Sequence, residues 1–283
     1  MIMTINMREV AVRAWVGIWY VVYVVLRVVL RLLIGRHRRN WVQYVLGLHY
    51  SRDYSVRYGS IFSRYEPHVY RVVRNVLRRK DSKSFIDVGA FKGWYTIYAY
   101  KILRKKSGFT IVAVEPDPRN YKMLGKATRN ITGIQLVDEA VFIRDGEYME
   151  FHIGKSRAWL NGFADAGSLA PTEWHVRYGF LTGEVIQVKS VRLDTLIKRS
   201  GLEKVNLIKM YIEGSEYPVL TDPTLDLSKV ENMVVEVHYR YGSRESREIM
   251  QALAQHGFKI VPLYPDLNSN RFHLLACKGK VPW

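Results

Sequence analysis

The sequence predicts an α/β fold built around a mostly parallel sheet. From Ser84 onward, short apolar runs alternate with amphipathic helical segments, which is the pattern of successive strand–helix–strand units. A turn with glycines at both ends, Gly89 to Gly93, follows the first apolar run. Glu115 follows the second apolar run, 28 positions after Asp87. These three observations indicate a Rossmann-like arrangement.

The predicted elements follow one another along the chain. Strands are expected at Ser84–Val88, Thr110–Val114, Ile134–Phe142, Glu147–Ile153, Val185–Leu193, Asn206–Ile212, Asn232–Val237, Phe258–Leu263 and Phe272–Lys278. Helices are expected at Trp94–Leu103, Pro118–Arg129 and Ser243–His256. The dipeptide Asp145-Gly146 predicts a turn between the third and fourth strands. The last two strands are expected to form an antiparallel pair.

An apolar segment, residues 9–34, precedes this domain and is followed at once by Arg36–Arg39. It is long enough to cross a bilayer as a helix, and it lacks the small-residue cleavage site of a signal peptide. Its polar residues fall on one narrow helical stripe: Arg13, Tyr20, Arg27 and Arg31. A helix lying in the membrane interface suits that stripe. A spanning helix and a helix docked on protein remain open alternatives.

The chain therefore divides into three predicted parts. Residues 1–40 form an amphipathic or membrane-associating helix, residues 41–83 a helical connector or cap, and residues 84–283 the α/β domain. A further segment, Gly154 to Gly183, interrupts the regular pattern and is rich in aromatic residues. It is expected either to form a lid over a substrate or to pack against the domain.

Composition narrows the classes of partner. The formal net charge is +17, from 43 Lys and Arg against 26 Asp and Glu, which favours acidic partners such as anionic lipid or nucleic acid. A generally basic surface is the alternative explanation. The single cysteine, Cys277, excludes an intrachain disulfide and a cysteine zinc cluster. It is expected in the core, and no metal site is predicted. A reducing, cytoplasmic compartment fits this composition.

The first strand–helix turn, Asp87 to Gly93, is the strongest candidate binding site. Glycine allows backbone to approach a ligand closely, and this loop leads into a helix N-terminus with available N–H donors. Glu115, at the end of the next strand, is placed to accept hydrogen bonds from the ribose hydroxyls of a nucleotide cofactor. A domain that binds no nucleotide is one alternative. An NAD enzyme is another, although the loop lacks G-x-G-x-x-G.

Several segments together resemble the FkbM-type methyltransferases. They are F-I-D-V-G-A-F-K-G at Phe85–Gly93, V-E-P-D-P at Val114–Pro118, V-R-L-D-T-L at Val191–Leu196, L-I-K-M-Y-I-E-G-S-E at Leu207–Glu216 and V-V-E-V-H at Val234–His238. The resemblance extends from Ser84 to about Lys278. It implies the class I methyltransferase fold with seven strands, S-adenosylmethionine as cofactor, and O-methylation of a hydroxyl as the usual reaction.

By motif position, the resemblance also implies a cofactor site. Its candidate residues are Asp87, Gly89, Ala90 and Gly93 for the methionine end, Glu115 and Pro116 for the ribose, and Asp138 and Glu139 for the adenine edge. Two positions depart from the usual pattern. Phe91 stands where the family commonly has Asn, and Tyr211 stands where it commonly has Asp beside the reactive methyl. The second departure leaves a catalytically degenerate cofactor-binding or scaffold protein as an alternative.

The candidate catalytic residues lie near the carboxyl ends of strands, where ligands bind in open α/β sheets. Glu213, Glu236 and His238 are candidate proton acceptors, and His238 has a reference pKa near neutral. Tyr211 is a further candidate, although a phenol is a poor base at neutral pH. Lys209 is interpreted as structural.

The sequence thus predicts a membrane-associated, S-adenosylmethionine-dependent O-methyltransferase. The expected acceptor is a glycan, a lipid-linked saccharide or a related metabolite, and residues 9–39 are the expected contact with a membrane surface. Methylation of nucleic acid is the competing enzymatic hypothesis, suggested by the +17 charge. The sequence lacks the N/D-P-P-Y/F signature of amino methyltransferases, which weakens that hypothesis. The oligomeric state is not predicted.

Overall fold

A computed structural model describes residues 66–154, 167–169, 171, 181–263 and 270–282. The predicted N-terminal helix and most of the Gly154–Gly183 segment, with its aromatic residues, lie outside the described residues. Within the described part of the chain, none of the helices combines the length and apolar character needed to cross a bilayer.

Six helices and ten strands make up the described elements. The helices are α1 (Pro67–Leu77), α2 (Trp94–Leu103), α3 (Pro118–Thr128), α4 (Leu193–Arg199), α5 (Glu216–Leu220) and α6 (Arg244–Gln255). The strands are β1 (Ser84–Val88), β2 (Thr110–Val114), β3 (Ile134–Val137), β4 (Ala140–Val141), β5 (Tyr148–Gly154), β6 (Leu181–Val191), β7 (Leu207–Met210), β8 (Asn232–Val237), β9 (Lys259–Leu263) and β10 (Phe272–Cys277).

Seven strands form the central sheet in the order β3-β2-β1-β7-β8-β10-β9. Strands β1, β2, β3, β7 and β8 pair in parallel, whereas β10 is antiparallel to both β8 and β9. The fold is therefore the predicted α/β class with the seven-stranded class I methyltransferase sheet. The strand order reverses between β1 and β7, and this switch point is where open α/β sheets bind ligands.

The centre of the sheet is the core of the domain. Every residue of β1, β7 and β8 is buried, because helices cover both faces of a parallel sheet and leave no solvent-facing side. The predicted core cysteine, Cys277, is fully buried on β10. Asp87 and Lys209 are the charged residues among the buried positions of β1 and β7. Both lie near the carboxyl end of the sheet, where the candidate site is.

The C-terminal end of α1 is stabilised by a lysine that follows α2. The Lys106 ammonium donates hydrogen bonds to the carbonyls of Leu77, Arg79 and Ser82. These carbonyls lie at or just beyond the last turn of α1, where a helix has no partners of its own for its carbonyls. One side chain thus fixes the junction between α1 and β1.

The region between β3 and β6 differs from the prediction in three respects. The expected single strand Ile134–Phe142 is wrong, because the chain leaves the central sheet after Val137 and Ala140–Val141 joins a second sheet. Between β3 and β4, the Glu139 carboxylate forms an ion pair with Arg199 at 2.6 Å. The predicted strand Val185–Leu193 begins earlier, at Leu181, and ends at Val191, so Leu193 starts α4 instead.

The turn at Asp145-Gly146 does not join two paired strands. Strand β6 lies between β4 and β5 and pairs with both. The Asp145 carboxylate instead accepts hydrogen bonds from the Arg192 backbone N–H and the Thr195 hydroxyl. These contacts attach the turn to the N-terminus of α4.

Candidate active site

The loop after β1 is shaped by glycines at positive φ. Gly89 has φ +73° and Gly93 has φ +90°. A Cβ placed on Gly89 would lie 1.8 Å from the carbonyl oxygen of Tyr211, so only glycine allows the β1 and β7 loops to approach this closely. The N–H groups of Gly89 and Ala90 both donate to the Val114 carbonyl, at 3.0 and 2.8 Å, which ties the loop to the end of β2.

Phe91 occupies a strained position in the same loop. Its φ is +53°, a region that Asn tolerates better than bulky residues. This explains in backbone terms why the resembling family favours Asn here. Phe91 keeps the conformation because its N–H donates to Glu115 Oε2 at 2.7 Å and its ring packs edge-on against Trp94, with centroids 4.9 Å apart.

Glu115 organises the candidate ribose site. Its second oxygen, Oε1, accepts a hydrogen bond from the Asp117 N–H at 3.0 Å. A carboxylate offers about four lone-pair sites, so these two backbone donors leave acceptor capacity for a ribose diol. Burial raises the pKa of Glu115 to about 7, although the N–H groups of Asp117 and Phe91 oppose the rise.

Asp87 lies below the loop rather than on its surface. It is fully buried, accepts a hydrogen bond from the Thr96 hydroxyl at 2.6 Å and pairs with the Lys209 ammonium at 3.2 Å. Lys209 also donates to the Gly89 carbonyl at 2.7 Å. The pair therefore connects β1, β7 and α2 and sets the shape of the glycine loop, in line with the structural role predicted for Lys209.

Tyr211 directly follows β7 and lies beside the glycine loop. Its N–H donates to the Val88 carbonyl at 3.0 Å. The Lys209 ammonium lies 4.2 Å from its ring centroid, and the His273 ring lies 5.4 Å away. The ring thus fills the position at which the resembling family commonly carries a carboxylate.

The predicted candidates Glu213, Glu236 and His238 converge on one point beside Tyr211. His238 Nε2 lies 3.0 Å from Glu213 Oε2 and 3.9 Å from Glu236 Oε2. Its other ring nitrogen, Nδ1, lies 3.0 Å from Glu216 Oε1. Glu213 has φ +53°, so its backbone holds an uncommon conformation while its side chain meets the imidazole.

The electrostatics of this cluster favour charged groups. Burial alone would lower the pKa of His238, but Glu213, Glu216 and Glu236 outweigh it and raise that pKa well above its ordinary value. Burial alone would raise the pKa of Glu236, yet Arg271 and His238 hold it below its ordinary value. The three carboxylates therefore stabilise positive charge at His238, which makes its imidazole a poor proton acceptor.

Two contributors to the cluster were not predicted from the sequence. Glu216 is fully buried, and its two oxygens accept the N–H groups of Ile212 and Gly214 at 3.2 and 3.0 Å. Arg271 comes from the segment just before β10 and lies 3.0 Å from Glu236 Oε1. The motif segment ending in Glu216 offered a signal for the first residue. Only the sheet pairing brings Arg271 to β8.

The candidates for the adenine edge lie beyond β3. Asp138 is exposed, and Glu139 is buried in its ion pair with Arg199. Pro116 is half-buried next to Glu115. Asp138 is thus the more accessible carboxylate of the two, and the adenine-binding role stays a prediction.

Comparison with known proteins identifies the family. The family model described as the methyltransferase FkbM domain matches residues 87–260, which contain the glycine loop, Glu115, and the cluster of Glu213, Glu236 and His238. The chain belongs to the FkbM methyltransferase family. One curated relative of this FkbM protein is the 31-O-demethyl-FK506 methyltransferase FkbM of Streptomyces tacrolimicus. It is 28% identical over 192 residues, covering 62% of this chain and 72% of that protein.

Solved structures show more distant similarity. Precorrin-6y C5,15-methyltransferase from Geobacter metallireducens matches with 12% identity and a TM-score of 0.39, over 74% of this chain and 87% of that one. The N-terminal domain of human METTL16 in complex with SAH matches with 12% identity and a TM-score of 0.42, over 77% and 71%. The assignment to the FkbM family rests on the sequence matches and on the sheet topology.

Proposed function

We propose that this FkbM protein transfers the methyl group of S-adenosylmethionine to a hydroxyl oxygen of a saccharide, either a glycan or a lipid-linked saccharide. The observation that carries the proposal is the arrangement at the carboxyl edge of the sheet. The glycine loop follows β1 and Glu213 follows β7, and these neighbouring strands lie on the two sides of the switch point. One side suits the cofactor, and the other presents carboxylates to an acceptor.

The residues of the first side fit the cofactor. The N-terminus of α2 and the loop from Gly89 to Gly93 suit its methionine end, and Glu115 has acceptor capacity for two ribose hydroxyls. When bound, S-adenosylmethionine supplies a methyl group on a positively charged sulfur. The chain itself has to align the acceptor oxygen and remove its proton.

Glu213 is the best-placed proton acceptor of the second side. Its side chain is 19% exposed, whereas those of His238, Glu216 and Glu236 are almost completely buried. As the sulfur–carbon bond breaks and the oxygen–carbon bond forms, the acceptor oxygen loses its proton to the Glu213 carboxylate. A carboxylate suffices, because the oxygen becomes strongly acidic as it gains the methyl group. His238 and Glu216 act as positioning residues.

Transfer to a hydroxyl oxygen is inferred from the relative, and the class of acceptor from the charge of the chain. The curated relative carries an O-demethyl substrate in its name, and the net charge of +17 favours an acidic or membrane-bound acceptor. A membrane contact through residues 9–39 belongs to the same proposal. It is expected to keep the chain at the cytoplasmic face, near lipid-linked saccharides.

The test uses the full chain with S-adenosylmethionine and a panel of saccharide acceptors, and measures release of S-adenosylhomocysteine and acceptor mass. Glu213→Gln is expected to lower kcat by roughly 10²- to 10⁴-fold, the usual contribution of a general base. Glu203→Gln is the matched control, because that side chain is 95% exposed and lies before β7. Full activity of Glu213→Gln would overturn the assignment of the base. Methylation of nucleic acid but no saccharide would overturn the acceptor class.

A further inference from the structure

The carboxylate–imidazole cluster has the spacing of a metal site. One ligand atom each from Glu213, Glu236 and His238 lies within 4.8 Å of the other two, with His238 Nε2 at 3.0 and 3.9 Å from the carboxylate oxygens. Ligand atoms about 2.1 Å from one ion lie about 3.0 Å apart at a right angle and about 4.2 Å apart when opposite. The measured distances fall within this range.

The imidazole is oriented as metal-bound histidines are. Its Nδ1 faces Glu216 at 3.0 Å, so Nε2 points toward Glu213 and Glu236. Ligating histidines almost always donate their other N–H to a carboxylate or a carbonyl, which fixes the tautomer and the ring plane. Glu216 is itself held by two backbone N–H groups, so this outer support is rigid.

The charge of the cluster suits a divalent cation that takes the place of a proton on His238 Nε2. Three carboxylates meet at His238, whereas Arg271 lies 3.0 Å from the Oε1 atom of Glu236 and His273 lies 3.9 Å from the same oxygen. Glu236 and His238 are both buried. Burying carboxylates together is costly unless they are paired or bind a metal. The Oε2 atom of Glu236 lies 3.9 Å from His238 Nε2, on the side of the proposed ion.

We propose that Glu213, Glu236 and His238 bind one divalent metal cation. One imidazole nitrogen and two carboxylate oxygens suit a first-row ion such as Mn²⁺ or Zn²⁺. A three-ligand site leaves coordination positions open on the side of the acceptor. Resting on the proposed function, we assign those positions to two neighbouring hydroxyl oxygens of the saccharide. Glu213 then ligates through Oε2 and takes the proton on Oε1.

The first test measures binding of Mn²⁺ alone to the full chain after treatment with a chelator. The paramagnetic resonance signal of hydrated Mn²⁺ is expected to fall until one ion is bound per chain. Glu236→Gln keeps the side-chain shape but removes the charge, and is expected to weaken Mn²⁺ binding at least tenfold. Glu216→Gln is expected to weaken it about 10- to 100-fold through the loss of outer support. Glu203→Gln is the control and should bind as the native chain does.

Thermal unfolding of each variant separates loss of the site from loss of the fold. The absence of Mn²⁺ and Zn²⁺ binding by the folded native chain would overturn the proposal, and so would unchanged Mn²⁺ binding by both cluster variants. Methyl transfer that continues undiminished in excess chelator would overturn the role given to the ion while the proposed function stands. Stoichiometric, variant-sensitive Mn²⁺ binding without any methyl transfer would support the site and overturn the proposed function.

Discussion

The raised pKa of Glu115 predicts that cofactor affinity depends on pH. Burial raises that pKa to about 7, and the ionised carboxylate is the form that accepts both ribose hydroxyls. Because the pKa is raised, the ionised form becomes scarce as pH falls through 7. It amounts to about one-eleventh of the population at pH 6 and about ten-elevenths at pH 8. The Kd for S-adenosylmethionine should therefore fall about tenfold between pH 6 and pH 8, or about 1.4 kcal/mol.

Calorimetric titration of S-adenosylmethionine into the full chain at pH 6, 7 and 8 measures this change. Glu115→Gln is the matched control, since its amide keeps a hydrogen-bonding oxygen but cannot ionise in this range. The variant should bind more weakly at pH 8 and show no slope attributable to residue 115. A native Kd that stays constant from pH 6 to pH 8 would show that ionisation of Glu115 does not control cofactor binding. An equal slope in Glu115→Gln would assign the effect to another group.

Three further substitutions test the architecture of the site. Lys209→Met leaves the buried Asp87 carboxylate without its ammonium partner, so the free energy of unfolding measured by denaturant titration should fall by about 3–5 kcal/mol. Combining Lys209→Met with Asp87→Asn should recover part of that loss. No recovery in the double variant would contradict the pairing of Asp87 with Lys209. Gly89→Ala should cost about 3 kcal/mol or more in the same assay, because its Cβ meets the Tyr211 carbonyl. The control Gly183→Ala, with φ +87° and open space around it, should cost only about 1–2 kcal/mol. Tyr211→Phe should keep kcat within about threefold of native, because a phenol with a reference pKa near 10 is a poor base; a loss of about 100-fold would place the hydroxyl in the chemistry.

Element boundaries predicted from the sequence were most accurate where one local pattern specifies the element. The boundaries of β1, β2, β8 and α2 agree with the predicted ranges, because each of these strands is a mostly apolar run bounded by turn residues. The prediction failed around Asp138 and Glu139. One strand was predicted through them, whereas the chain leaves the central sheet after Val137 and Glu139 forms an ion pair with Arg199. No local signal shows that partner, which lies 60 positions away.

The candidate site also combines features that the sequence predicts with features that it does not. The motifs of the sequence indicate the family, the glycine loop, Glu115 and the three residues Glu213, Glu236 and His238, because their spacing places all of them at the carboxyl ends of strands. Only the tertiary structure decided what these groups do to one another. The 3.0 Å distance between His238 Nε2 and Glu213 Oε2, and the burial that raises the pKa of Glu115, arise from pairing strands that are separate in sequence. Charge and desolvation depend on such separations, and spacing along the chain does not encode them.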